Sequence, residues 1–240
     1  MDLEQKNLRN LHALWQRYGA VPFFGRAGWW RHTQWPNRCW KQGDSDGDLV
    51  DSISDLPREC IVPVIENTDP AGDEPLLHGS GWQVAFEQVA MLKSIAAYRS
   101  AGLPELDIEG ELQTVQTESQ LQNWLTIQSA AFGYDIDAAA IQSLLSESDA
   151  RVWLYLEHDK SVAGVILLKT GDTVGVHQLA VSPEHQGQGI ARRLMQRVLK
   201  EAVLRGGDYL VLQASAAGLP LYQSLGFEEQ FTIRNYTRAG

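Results

Sequence analysis

The stretch LAVSPEHQGQGIARRLM, residues 179–195, constrains the fold of this chain more than any other. An apolar, strand-like run stops at Pro183, and two glycines one residue apart follow. Arg192 and Arg193 then open an amphipathic helical pattern that runs to Gly206 and Gly207. A strand that enters a helix this way leaves the first helical N–H groups without partners, with the positive end of the helix dipole behind them. Glycine lets the backbone approach a ligand with no Cβ in between. Together these features predict a mixed α/β layer carrying a site suited to a pyrophosphate.

Around that loop the pattern of elements is regular. After the strand-like LQTVQT, Ser119 is placed to cap the helix QLQNWLTIQSAAFG, which Gly133 ends. Asp137 begins a second helix through Leu145. RVWLYLEHD and SVAGVILLKTGD read as two strands joined by a turn at His158 to Ser161, and VGVHQLAV as a third. After the long helix come a strand, YLVLQAS, a short helix, GLPLYQSLGF, and a last strand pair, EEQFTIRNYTR. The order is β-α-α-β-β-β-α-β-α-β.

The first half has a different texture. A helical period covers residues 3–18, NRCWKQ and CIVPVIE read as short strands, and Pro63 favours an edge. Periodicity leaves residues 82–98 open between helix and strand. The Gly-, Pro- and acid-rich segment at 100–111 is the best linker, which divides the chain into 1–105 and 106–240. Five of the eight tryptophans lie within the first 40 residues (Trp15, Trp29, Trp30, Trp35, Trp40) and read as a small core ahead of an acceptor pocket.

Three phosphate-binding devices compete for the glycine loop. A P-loop needs Lys and Ser/Thr where Ile190 and Ala191 stand. A Rossmann fingerprint starting at Gly187 would put Arg192 in its third small position. The pattern Gln/Arg-x-x-Gly-x-Gly/Ala is met in full by Gln186, Gly189 and Ala191, and LYQSLGF at 221–227 meets a second pattern, Leu-Tyr-x-x-x-Gly-Phe. On both motifs and on the order of elements over 111–240, the chain resembles the GNAT superfamily of acyl-CoA-dependent N-acyltransferases.

The resemblance implies a mixed, mostly antiparallel twisted sheet flanked by helices, with a smaller α+β domain before it. It implies that Gln186, Gly187, Gln188, Gly189, Ile190, Ala191 and Arg192 hold the pyrophosphate of acetyl-CoA. Leu179, Ala180 and Val181 would pair with its pantetheine arm as an added strand does. Arg192 and Arg193 could both meet phosphates, but as helix-surface cations they read rather as solvated. Tyr222 corresponds to a general acid for the departing thiolate, with a packing role as the alternative. Ser215 stands where the family often has a cofactor-touching Asn. The base is His177 or an ordered water chain, because the family's glutamate position is Gly175 here; a satisfied structural histidine is the plainer reading of His177. The segment 76–92 resembles the end of a GNAT domain, which would make 1–105 a degenerate copy without a glycine loop. The implied reaction moves an acetyl or other short acyl group from acyl-CoA to a primary amine by direct attack in a ternary complex, with no metal. The alternative is a catalytically weak CoA-binding regulatory or scaffold protein, and a nucleotide-dependent oxidoreductase is more distant.

Composition sets the partners. The formal charge of −10 is spread over both halves, which suits neither a nucleic-acid backbone nor an anionic membrane and tolerates a small-molecule or peptide amine. No run approaches the roughly 18 apolar residues of a membrane span. The amphipathic start is no secretory signal, and cytoplasm is expected. Cys39 and Cys60 form no metal or disulfide pattern and read as small buried hydrophobes. DSDGDL at 44–49 begins like an EF-hand, but Leu49 replaces the required Gly and Asp55 the final Glu, so an acidic turn is the better reading. The oligomeric state is not legible.

Overall fold

The computed structural model describes residues 2–23, 28–42, 53, 56–66, 73–102 and 110–238. The DSDGDL turn and most of the expected linker lie outside them. In chain order the elements begin with α1 (Leu3–Arg17), β1 (Val21–Pro22), β2 (Trp29–Arg31), β3 (Cys39–Lys41), β4 (Val62–Ile65) and α2 (Asp73–Gly79). Next are β5 (Trp82–Ser94), α3 (Ala97–Ala101), β6 (Glu111–Thr114), α4 (Glu118–Phe132), α5 (Ala138–Leu145) and β7 (Ala150–Glu157). The chain finishes with β8 (Lys160–Thr170), β9 (Thr173–Val181), α6 (Ile190–Leu204), β10 (Tyr209–Ala214), α7 (Leu219–Ser224) and β11 (Glu228–Arg238). Two compact units result: residues 1–14 with 92–212, and residues 15–91 with 213–240.

In the first unit the strand order is β10-β9-β8-β7-β6. Only β9 and β10 run parallel, while β6–β7, β7–β8 and β8–β9 are antiparallel. This is the mixed, mostly antiparallel sheet expected from the sequence. His158 and Asp159, both at positive φ, close the β7–β8 hairpin in the two-residue turn whose twist matches its strands. Helices cover both faces. Gly164 of β8 meets Trp124 and Gln128 of α4, whereas Val174 of β9 lies under Gly207 at the end of α6. The amphipathic α6 buries Ile190, Leu194, Met195, Val198 and Ala202, a repeat that keeps one face on the sheet.

The cap of α4 differs from the expectation. Thr117, not Ser119, is the N-cap: its hydroxyl accepts from Gln120 N, and Gln120 Oε1 accepts from Thr117 N at 3.0 Å. Gln122 also stands three residues after Ser119, but its Nε2 donates to Glu118 Oε1 at 2.9 Å, and the reciprocal box closes at Thr117 instead. Gly133 in the left-handed region ends the helix, and Asp137 caps α5, both as read from the sequence.

In the second unit β1, β2 and β3 form one small sheet, and β4, β11 and β5 lie side by side, with β4 at the edge that Pro63 suggested. The segment left open at 82–98 is a 13-residue strand followed by the short α3. The expected C-terminal strand pair is a single 11-residue strand, β11. No turn residue interrupts it, and Ile233 to Tyr236 pair without a break against β4. The tryptophans pack as a core: Trp15, Trp29, Trp40 and Trp82 are buried, with Trp15 edge-on to Trp40. Cys39 and Cys60 are free thiols in the same interior.

Candidate active site

The candidate residues of the first unit follow from how β9 ends. Its parallel pairing with β10 covers only Thr173, Val174 and Gly175, so Val176–Val181 is paired on one side, by β8. Within that stretch the β8 register shifts between Gly164 and Ile166, and Gln178 takes a φ of 49°. Two residues of β9, Gln178 and Leu179, therefore stand opposite Val165, a bulge that turns backbone groups out of the ladder. Ala180 and Val181 are buried, and Leu179 is half-buried.

After Val181 the chain makes a short helical turn, Pro183–His185, and enters the glycine loop. Gln186 Nε2 donates to Val181 O at 3.1 Å and ties the loop back to the strand. Gly187 and Gly189 take φ values of 74° and 79°, a conformation that glycine reaches without strain. Gly189 is the N-cap of α6 and has no side chain to satisfy the helix end. Among the described residues the N–H groups of Gly187, Gln188, Gly189, Ile190 and Ala191 have no hydrogen-bond acceptor. Five consecutive donors thus meet the positive end of the α6 dipole.

Arg193 braces this loop. Its Nη1 donates to Gln188 O at 3.0 Å, while its Nε and Nη2 pair with Glu157 Oε1 at 2.9 and 2.7 Å. The Glu157 carboxylate holds the guanidinium pKa above its usual value. Arg193 is therefore a neutralised strut rather than the solvated cation read from the sequence, while Arg192 is exposed. His185 Nδ1 meets Ser182 Oγ at 2.7 Å, which holds this loop histidine against the end of β9.

His177 is buried, and its Nε2 lies 2.8 Å from Oδ1 of Asn10 on α1. Asn10 Nδ2 donates at 2.9 Å to Leu168 O and to Thr170 Oγ1, both on β8. Two residues before His177, a Cβ on Gly175 would overlap Asn10 Oδ1. Sequence reasoning missed Asn10. The available signal was a polar residue among Leu8, Leu11, Leu14 and Trp15 on the buried face of α1, a face that also buries Asn7 and His12, and a buried amide must find specific partners.

The other candidates belong to the second unit. Tyr222 on α7 packs T-shaped against Phe227 at 5.8 Å between centroids, and burial pushes its phenol up to about 12. Gly218 lies so close that a Cβ there would be 3.1 Å from Tyr222 Cε2. Ser215 shapes the turn into α7: its Oγ accepts from Gly218 N at 3.3 Å and its carbonyl from Leu219 N at 3.0 Å. His177, Leu179–Val181 and the glycine loop thus come together in one unit, and Ser215 with Tyr222 in the other. Among the described residues no group of three or more His, Cys, Asp or Glu is placed to hold a metal, and no helix is long and apolar enough to cross a membrane.

The family model described as an acetyltransferase (GNAT) domain matches residues 112–238, more than half of the chain. The chain belongs to the GNAT acetyltransferase family. Within the family, it is 35% identical over 83 residues to the [ribosomal protein bS18]-alanine N-acetyltransferase of Escherichia coli K12, covering 33% of this chain and 56% of that one. It is 43% identical over 65 residues to the N-alpha-acetyltransferase RimI of Mycobacterium tuberculosis, covering 26% and 40%. The chain thus spans about half the length of the curated relatives it matches. A GCN5-related N-acetyltransferase from Kribbella flavida shares the fold over 98% of this chain and 96% of its own, with a TM-score of 0.70 at 16% identity. One from Sphaerobacter thermophilus does so over 90% and 79%, with a TM-score of 0.60 at 15% identity. These GNAT neighbours therefore extend the likeness of fold well beyond residues 112–238.

Proposed function

We propose that this protein transfers an acetyl group from acetyl-CoA to a primary amine by direct attack in a ternary complex. The observation that carries the reading is the run of N–H groups from Gly187 to Ala191 with no acceptor of its own. Those donors and the α6 dipole suit the pyrophosphate of CoA. The one-sided stretch Leu179–Val181 suits the amides of its pantetheine arm, and a backbone N–H released at the Gln178–Leu179 bulge suits a thioester carbonyl. The thioester supplies an activated acyl carbon. The neutral amine nitrogen bonds to that carbon as the C–S bond breaks, His177 takes the amine proton, and Tyr222 returns a proton to the thiolate. With its pKa raised to about 12, the Tyr222 phenol keeps that proton at neutral pH.

The names of the two relatives favour an α-amine of a protein as the first acceptor to try, before small amines and lysines. We also propose residues 106–240 as the transferase domain and 1–105 as an accessory domain that shapes the acceptor side. Use of acetyl-CoA and two buried free thiols fit a cytoplasmic protein.

The test is thiol release from acetyl-CoA across peptides and amines, with calorimetry alongside. Tyr222→Phe should lower kcat about 10²–10⁴-fold while the acetyl-CoA Kd stays within a few-fold. Saturable CoA binding without turnover of any amine would leave the regulatory alternative. Absence of saturable binding at millimolar acetyl-CoA would sink both.

A further inference from the structure

The buried contact between α1 and β9 has a chemical consequence for His177. An asparagine amide has a donating and an accepting end, and its partners decide which is which. One Asn10 contact is the Leu168 carbonyl, which only accepts, so the atom 2.9 Å from it is the donating Nδ2. Its second hydrogen goes to Thr170 Oγ1 at 2.9 Å. The end that faces His177 Nε2 at 2.8 Å is then Oδ1, which only accepts. The ring must donate there.

We propose that Asn10 is a positioning residue: it accepts from His177 Nε2 and so holds the neutral ring as the Nε2–H tautomer, with its lone pair on Nδ1. Its relevance to catalysis rests on the acetyl-transfer reading; the tautomer itself does not. Gly175 is part of the device, because any side chain there would displace Asn10 Oδ1. The space in which the family resemblance places a glutamate is thus filled by Asn10, which lies 167 positions before His177 in sequence. Lys6 of α1 is spent on Asp172 at 2.6 Å, and His12 of the same helix is kept neutral, its pKa lowered to about 4 by burial.

Ring ¹⁵N NMR of the full-length protein at pH 8 tests the assignment without turnover. A protonated Nε2 with a pyridine-type Nδ1 is expected; the reverse pattern overturns the proposal. Asn10→Ala should turn the single tautomer into a mixture, and persistence of the pure Nε2–H form would remove Asn10 from the role. Asn10→Asp keeps the shape and accepts the same hydrogen, but its charge favours the imidazolium. It should raise the ring pKa, and with it the acid limb of kcat/KM, by about one pH unit or more. A lower kcat with an unmoved limb and ring pKa would make Asn10 a clip between helix and hairpin, and nothing else. A wild type that never releases thiol would instead defeat the proposed function while the ring spectra still decide this assignment.

Discussion

Gln128 of α4 lies against Gly164 of β8 so closely that a Cβ on the glycine would stand 2.7 Å from Gln128 Nε2 and from Trp124 Nε1. Both side chains are fully buried, and among the described residues neither the Gln128 amide nor the Trp124 indole N–H has a hydrogen-bond partner. Gly164→Ala should therefore cost about 1–3 kcal/mol by overpacking, read as a lower urea midpoint with an unchanged m-value. Gln128→Met removes two unsatisfied polar atoms at similar volume. It is expected to be neutral or stabilising, and a drop in Tm would mean that Gln128 serves a ligand or a buried water.

Gly189 sits at φ 79° at the head of α6 and Gly187 at 74° before it. A β-branched residue at either position pays roughly 1–2 kcal/mol for the left-handed backbone and sets a Cβ beside the open amides. Gly189→Val and Gly187→Val should each weaken acetyl-CoA binding more than tenfold by calorimetry, with a modest loss of Tm. Unchanged affinity would detach the loop from the cosubstrate.

Burial lowers His12 and His32 from 6.5 to about 4. Burial keeps His32 neutral against its contact to Trp15 O at 2.9 Å, which favours the protonated ring, and the Arg38 charge lowers its pKa further. A histidine that stays neutral when folded protonates first in the unfolded chain. Its contribution is present above pH 6.5 and is lost as the pH falls toward 4, at up to about 1.4 kcal/mol per pH unit each. Chemical denaturation across that window should show the decline, and His12→Asn should flatten it. A flat wild-type profile would show that these rings are not kept neutral.

The capping box of α4 gives a stability effect away from the candidate site. Thr117→Ala removes the acceptor for Gln120 N and should cost about 1 kcal/mol, or roughly 2–4 °C in Tm. Acetyl-CoA affinity should not change. An unaltered Tm would mean that solvent replaces the cap.

The sequence by itself determined what is local. The glycine loop, the presence of a turn after β7, the left-handed stop at Gly133 and the amphipathic face of α6 each follow from φ preference, capping or a 3.6-residue period over a few neighbours. It also carried both motifs and hence the family, whereas the capping-box spacing fits Thr117–Gln120 and Ser119–Gln122 alike, and the structure decided between them. Only the tertiary structure decided whether residues 82–98 form a strand, because that period fits helix and strand equally and the pairing partner supplies the choice. Likewise, nothing near Gly175 or His177 announces Asn10. Its amide reaches His177 from 167 positions away, and contacts at such separation depend on how the packed elements meet rather than on any pattern along the chain.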